Sequence, residues 1–531
     1  MVVKNGMATK EPEYSRISDF FPGKFRPLQR ECLEALGKAL NNPKVKYVIF
    51  EGPTGIGKSW LAIAALLAAK SGYIATMNKF LQDQYLRDFS QHVEELKGRA
   101  NYNCYKYDHY NCGNAPCRKS KKSRTQCSSE GSCGFHVQFR KATAADTVLF
   151  NFQAAISFLG MSNFPLKNLM VIDEAHNLPD ALTGAATLEV KTRLLKEMSI
   201  MDEVPYYDRA VDYKNFLMDL NAKIAVRLTD TATPDQVSAL ENIVNASNLI
   251  LNIDPDLQHT AVTPMMDINN GKQTYTGFNL RPTLVRSIGH KYLFNRAKKV
   301  VLMSATVLNF ELLKTMVGID DRGEDDGVTI IQAPSLFPKE NRKMFFQPVG
   351  AINRNNIDYL MPKIVTEIEN ILLKYPDQKG IIHGTTYKAC DAIFKSVKAK
   401  HDRIIYPRSA GEQRRAFEEH CQSKEPTVLL SPSMTEGVDL KDDLCAFQIL
   451  VRVPWANLGD RVVKVRTDTY QGYYNWFALL KTIQAYGRGV RSMDDKADFY
   501  LLDGAFERLF RDSTHFTPAW IKEALPAALQ F

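Results

Sequence analysis

No apolar run in this 531-residue chain approaches the roughly 18 residues that a membrane-spanning helix needs, so no helical span is expected. The first residues, Met1-Val-Val-Lys-Asn-Gly6, lack the apolar stretch of a secretory signal, and a cytoplasmic protein is expected. None of the nine cysteines stands in a Cys-x-x-Cys pair, which argues against an ordinary zinc ribbon. No internal repeat is evident. Hydrophobic residues at 45% and charged residues at 24% are globular proportions that leave no need for disorder. Neither sign of charge dominates: 68 Lys and Arg against 59 Asp and Glu give +9, which permits a polyanionic partner without demanding one. The length exceeds what one core serves, so two to four domains are expected.

What the chain does contain is two short strings in a meaningful order. Gly52-Pro-Thr54-Gly55-Ile-Gly57-Lys58-Ser59 has the spacing of a glycine-rich turn whose backbone N–H groups wrap phosphates. Before it, Tyr47-Val-Ile-Phe50 reads as a buried strand, and after it Trp60–Ala69 reads as an alanine-rich helix. That order places phosphates at a positive helix N-terminus, with Lys58 on the β/γ-phosphates and the Ser59 hydroxyl on Mg²⁺. The second string, Val171-Ile-Asp173-Glu174-Ala-His176, ends an apolar strand in two carboxylates. Asp173 is the candidate magnesium ligand and Glu174 the candidate base for an attacking water. A surface acidic turn is the plain alternative, but a phosphate loop upstream requires such a partner. Together the strings point to binding and hydrolysis of a nucleoside triphosphate.

Five cysteines, Cys104, Cys112, Cys117, Cys127 and Cys133, fall within thirty positions, among Gly, Asn, Pro, Ser and Lys. An irregular segment with little core needs a staple, and in a cytoplasmic protein metal is favoured over disulfides. Spacing alone leaves an iron–sulfur cluster, zinc and unliganded thiols open. The same segment holds five cations between Arg118 and Arg124, and tyrosines at 102, 105, 107 and 110. Cations track phosphate and aromatics stack on bases, although the tyrosines could equally pack around a metal. Cys32, Cys390, Cys421 and Cys445 are scattered and read as ordinary small residues.

Further along, Val300–Thr306 is a strand ending in Ser304-Ala-Thr306, and Val428–Ser431 is a strand that leads to the turn Glu436-Gly-Val-Asp439. Gln484-Ala-Tyr-Gly-Arg488-Gly-Val-Arg491 spaces two arginines three apart, one helical turn, so a shared direction is expected. Paired arginines suit the charge that develops on a γ-phosphate, although a solvated basic helix face is the competing explanation.

With these residues in place, the chain resembles the superfamily 2 helicases of the XPD/DinG type, the iron–sulfur DNA helicases, over nearly its whole length. The likeness includes the phosphate loop, the Asp-Glu-Ala-His box, Ser304-Ala-Thr306, the 436–439 turn and Gln484-x-x-Gly-Arg488-x-x-Arg491. It extends to Phe25-Arg26-Pro-Leu-Gln29, similar to the adenine-side glutamine motif, and to Ala75–Gln84, similar to motif Ia. Leu96–Cys104 resembles the stretch carrying the family's first cluster cysteine, and Cys133–Ala142 the stretch after its fourth. The resemblance implies a [4Fe–4S] cluster on Cys104, Cys117, Cys127 and Cys133, with Cys112 as the alternative ligand. It also implies ATP and Mg²⁺ as cofactors, Arg26, Gln29 and Asp439 as nucleotide contacts, and Gln484, Arg488 and Arg491 as catalytic. One departure stands out. Leu502-Asp503-Gly-Ala505-Phe506 has alanine where the family commonly has arginine, which puts one nucleotide or interlobe contact in doubt.

The expected fold is α/β, with two RecA-like parallel-sheet lobes and two insertions in the first. Residues 1–97, 143–180 and 291–329 form lobe one, 98–142 the iron–sulfur insertion, 181–290 a helical arch-like insertion, and 330–531 lobe two. Only some twenty polar residues precede the glutamine motif, so no N-terminal nuclease domain is expected. The expected function is an ATP-dependent helicase moving 5′ to 3′ on single-stranded DNA in repair or replication, with forked DNA as partner, no membrane, and a monomeric state. The rival is an ATPase that remodels protein complexes and uses its metal segment for docking.

Overall fold

The computed structural model describes residues 11–119, 121–129, 131–161, 163–227, 232–269, 272–319, 327–432, 442–490 and 493–530. Short apolar runs, buried on both faces, become parallel strands, and amphipathic helices cover them. Along the chain come β1 (Tyr47–Glu51), β2 (Gly72–Thr76), β3 (Glu94–Glu95), β4 (Thr147–Asn151) and β5 (Lys167–Ile172). Then follow β6 (Leu188–Lys191), β7 (Thr260–Asn269), β8 (Lys272–Pro282), β9 (Ala297–Ser304) and β10 (Val328–Gln332). The second half supplies β11 (Met344–Gly350), β12 (Gly380–His383), β13 (Ile404–Ile405), β14 (Val428–Ser431), β15 (Phe447–Leu450) and β16 (Asp498–Asp503).

Two wholly parallel sheets result. The first has the order β10-β1-β9-β5-β2-β4-β3, the second β11-β16-β15-β12-β14-β13. Alternation along β1 sends Tyr47 and Ile49 to one apolar layer and Val48 and Phe50 to the other. The second sheet is built the same way, with Ile449 and Tyr500 on one face and Leu450, Phe499 and Leu501 on the other. Because β10 pairs with β1, the first sheet runs through Gln332, slightly past the expected boundary at 329.

The cysteine segment lies between β3 and β4 and is less bare than its composition led us to expect. It contains the helices Lys121–Ser129 and Gly134–Ala144. Cys112, Cys127 and Cys133 are buried in the same layer as Phe135, Phe150 and Phe158. The helix Gly134–Ala144 accounts for this, because it lays Phe135 and Phe139 against lobe one.

The segment between β5 and β9 was expected to be helical, and it is only partly so. Its helices Lys214–Arg227 and Pro234–Ile253 pack on a three-stranded antiparallel sheet, β6-β8-β7, around Tyr213, Leu217, Leu240 and Phe278. The strands escaped notice because Thr, Asn, Asp and Gln fill much of their length. The first helix of the segment is the short Thr192–Glu197, with Ser199 at φ 49° just beyond it.

Lobe two locks onto this base through buried polar contacts. Arg466, in the helix Arg461–Thr469, is 2% exposed. Its guanidinium donates to Asp180, to Thr183 Oγ1 at 2.7 Å and to Pro179 O at 3.1 Å. Arg281 on β8 pairs with Asp460 at 2.7 Å, and Trp476 Nε1 donates to Val307 O at 2.8 Å. No described helix is long and apolar enough to cross a membrane.

Removing the buried guanidinium leaves Thr183 Oγ1 and Pro179 O short of a donor, at a cost of about 2 kcal/mol. Arg466→Ala is therefore expected to lower the thermal transition and to separate the unfolding of the two lobes in a calorimetric scan.

Candidate active site at the lobe interface

β1 ends at Glu51, and the chain turns through Gly52–Gly57 into the helix Lys58–Ala69. Gly55 and Gly57 have φ of 87° and 76°. A Cβ on Gly55 would lie 2.3 Å from the Phe337 ring, and one on Gly57 2.3 Å from Gln29 Nε2, so neither position admits another residue without a shift. Lys58 Nζ donates across the loop to Gly52 O at 3.1 Å. Thr54 lines the cleft beside it. Gln29 is 1% exposed, and both ends of its amide are engaged: Oε1 accepts from Arg26 N at 2.7 Å, and Nε2 donates to Ile56 O at 3.0 Å. In this geometry Gln29 clamps the loop. The Arg26 side chain is exposed.

Glu51 was not singled out from the sequence, although a carboxylate closing an apolar strand just before a glycine turn was a legible signal. It is buried, and it accepts from Val307 N at 2.6 Å, Leu308 N at 3.0 Å and Gln332 Nε2 at 2.9 Å. The phosphate loop, the segment after Ser304-Ala-Thr306 and the last residue of β10 are thereby tied to one group.

Asp173 and Glu174 follow the central strand β5, next to β9 and β2. Asp173 Oδ1 accepts from Glu174 N and Oδ2 from the Tyr85 hydroxyl, each at 3.0 Å. Burial, reinforced by the neighbouring Glu174 charge, pushes the Asp173 carboxyl up to about 6. Glu174 has a left-handed backbone, φ 53° and ψ 44°, a conformation worth on the order of 1 kcal/mol of strain. Its side chain lines the cleft, 3.5 Å from His176 Nδ1. His176 itself lies between Ser304 Oγ at 2.8 Å and Gln484 Nε2 at 2.5 Å.

Gln484 comes from the helix Tyr473–Tyr486 of lobe two. That helix stops before Arg488, which sits in the turn that follows, so helical spacing does not set its direction as the sequence led us to expect. Gly487 is the C-cap residue. Arg491 and Asp439 lie outside the described residues. One cavity of about 140 Å³ collects Thr54, Lys58 and Glu174 from lobe one with Gln484 and Arg488 from lobe two. The Gln484 Oε1 atom is buried without a hydrogen-bond partner at its wall. Asp503, next to the alanine that departs from the family pattern, holds three backbone amides, of Ile352, Val453 and Ala505, at 2.8–2.9 Å.

A second cavity, of about 50 Å³, is lined by all five clustered cysteines together with Arg99, Arg118, Arg124 and His136. Cys112 is not set apart from the others: its Sγ lies 3.7 Å from that of Cys133. Among the described residues no three His, Cys, Asp or Glu side chains are placed to hold a single ion. Arg118 and Arg124 both bond Glu241 of the helix Pro234–Ile253, Arg124 at 2.7 Å. Two of the cations expected to face phosphate therefore point inward. The tyrosines also divide. Tyr102 is packed edge-on to Phe135 with its hydroxyl accepting from Lys97 N, whereas Tyr105 and Tyr107 are 39% and 46% exposed.

Residues 23–236 match the model of the type III restriction enzyme res subunit, and residues 368–524 that of a helicase C-terminal domain. The ATP-dependent DNA helicase YoaA of Haemophilus influenzae is 20% identical over 594 aligned residues, covering 90% of this chain and 91% of that protein. Among solved structures, an XPD helicase aligns at TM-score 0.63 with 14% identity, covering 93% of this chain and 98% of the other. S. tokodaii Xpd4 aligns at 0.57 with 15% identity, covering 93% and 99%. The chain thus has the fold of the XPD helicases, and its second lobe carries a helicase C-terminal domain.

Proposed function

We propose that this protein is an ATP-dependent DNA helicase that tracks along single-stranded DNA, 5′ to 3′ as the family resemblance implies, and separates duplex at forks. One observation carries the reading: a single cavity between the lobes gathers Lys58 and Glu174 from one side with Gln484 and Arg488 from the other. Neither lobe alone holds a full set, so hydrolysis is tied to lobe closure, as a motor requires. Tyr105 and Tyr107 at the surface of the cysteine segment are suited to stack on bases.

In this mechanism the loop N–H groups and Lys58 hold the β/γ-phosphates, with Arg26 and Asp439 on the nucleotide side and Gln29 holding the loop from behind. Ser59 and Asp173 would hold Mg²⁺, which when bound neutralises phosphate charge. Glu174 takes the proton of the attacking water. Gln484, whose buried Oε1 lacks a partner, orients that water, and Arg488 and Arg491 stabilise charge on the γ-phosphate. The cysteine cavity would hold a [4Fe–4S] cluster on Cys104, Cys117, Cys127 and Cys133, with Cys112 as the alternative. Buried Nε atoms of Arg118 and Arg124 that lack partners supply donors suited to cluster sulfurs, and the guanidiniums offset thiolate charge. When bound, such a cluster supplies a rigid staple and a one-electron centre.

Glu174→Gln is expected to keep ATP binding while slowing turnover ~10²–10⁴-fold, and single-stranded DNA should strongly stimulate the unaltered protein. Turnover indifferent to DNA would favour the protein-remodelling alternative. In Arg488→Ala, steady-state kinetics should show kcat reduced by ~10³ or more, with nucleotide affinity little changed. Protein purified without oxygen should contain iron and absorb broadly near roughly 400 nm. Cys133→Ser should lose that iron and duplex unwinding while still binding nucleotide, and stoichiometric zinc without iron would reject the cluster.

A further inference from the structure

Tyr85 has no role in the mechanism above, yet it lies beneath the carboxylate at its centre. It belongs to the helix Lys79–Phe89, whose buried side is formed by Gln82, Tyr85 and Phe89. Tyr85 is 2% exposed. Its hydroxyl donates to Asp173 Oδ2 at 3.0 Å. A leucine or phenylalanine would fill the same apolar space without a polar atom to satisfy, and a buried phenol persists only where its hydroxyl has partners. Here the partner is a carboxylate assigned to the cation, and the phenol occupies one lone pair of Oδ2.

We infer that Tyr85 is a positioning residue for the magnesium site: its hydroxyl holds the Asp173 carboxylate in the orientation that the cation requires. The inference rests on the nucleotide reading proposed above. Tyr85 touches neither nucleotide nor metal, and it acts only through Asp173. Without the hydroxyl, the buried Asp173 Oδ2 loses a donor. Hydrogen-bond partners of metal ligands are typically worth about 10–100-fold in metal affinity.

The test is a Mg²⁺ titration of the binding of a fluorescent, non-hydrolysable ATP analogue to the full chain, read by anisotropy, with the same measurement in EDTA. Tyr85→Phe keeps ring and volume. The half-saturating Mg²⁺ concentration should rise ~10-fold, while affinity in EDTA and the melting temperature stay at their unaltered values. Tyr85→Leu also lacks the hydroxyl and should show the same rise, so the test survives if one variant fails to fold. An unchanged Mg²⁺ dependence in folded Tyr85→Phe would overturn the inference and leave the nucleotide site standing. Nucleotide binding indifferent to Mg²⁺ in the unaltered protein would instead overturn the nucleotide reading itself.

Discussion

The imidazole of His176 sits between Gln484 of lobe two and Ser304 of lobe one, and the order of the site depends on that bridge. With the Gln484 amide donating to Nε2, the ring must carry its proton on Nδ1 and pass it to Ser304 Oγ. Ser304 in turn donates to Thr306 O at 2.9 Å and accepts from Thr306 N at 3.1 Å. The whole run is buried, where an unmet polar atom is costly, so its members stand or fall together. Approach of lobe two therefore sets the tautomer beside Glu174 and the backbone after β9 in one step. A site of this kind is assembled by domain contact and does not pre-exist in either sheet.

The phosphate loop is held just as firmly from behind. Gln29 clamps it through Ile56 O, and Glu51 ties its root to Val307, Leu308 and Gln332. Val307 then meets lobe two through its carbonyl, which accepts from Trp476. Movement of the second lobe thus reaches the loop through two covalent neighbours of buried hydrogen bonds, a short and rigid path. Glu174 stores strain at the same place. Its left-handed backbone persists because Asp173 N bonds Ala75 O and Asn177 N bonds Glu174 O on either side.

The cysteine segment behaves differently from the loose staple its composition implied. Aromatic packing of Phe135 and Phe139 joins it to lobe one, and Glu241 joins Arg118 and Arg124 to the helix Pro234–Ile253. Asn114 adds a bond to Asp235 of that helix at 2.9 Å. The two insertions are consequently one braced unit at this edge. Charge that looked like a phosphate-tracking patch is partly spent on internal ion pairs, which leaves exposed aromatics as the clearer candidates for contact with bases.

The nucleotide strings were legible because their chemistry is local. A glycine turn between strand and helix, and two carboxylates after an apolar strand, carry their meaning in consecutive residues, and Lys58, Ser59, Asp173 and Glu174 could be named from order alone. The parallel strands β1, β5, β9 and β14 were legible for the same reason, since continuous apolar runs leave few alternatives. Tyr85 and Arg466 were not legible, because each acts on residues distant in the chain, Tyr85 on Asp173 and Arg466 on Asp180; Glu51 stood out only as a carboxylate before the glycine turn, and its partners Val307, Leu308 and Gln332 did not. The sheet under the second insertion was hidden by polar, one-sided strands, and the direction of Arg488 by a helix that ends earlier than its spacing implied. Local sequence pointed to the candidate phosphate-binding groups and to several of the strands. Tertiary packing decided which side chains hold those groups in place, because a hydrogen bond between elements depends on how the two lobes and two insertions close on each other, and no short stretch of sequence records that.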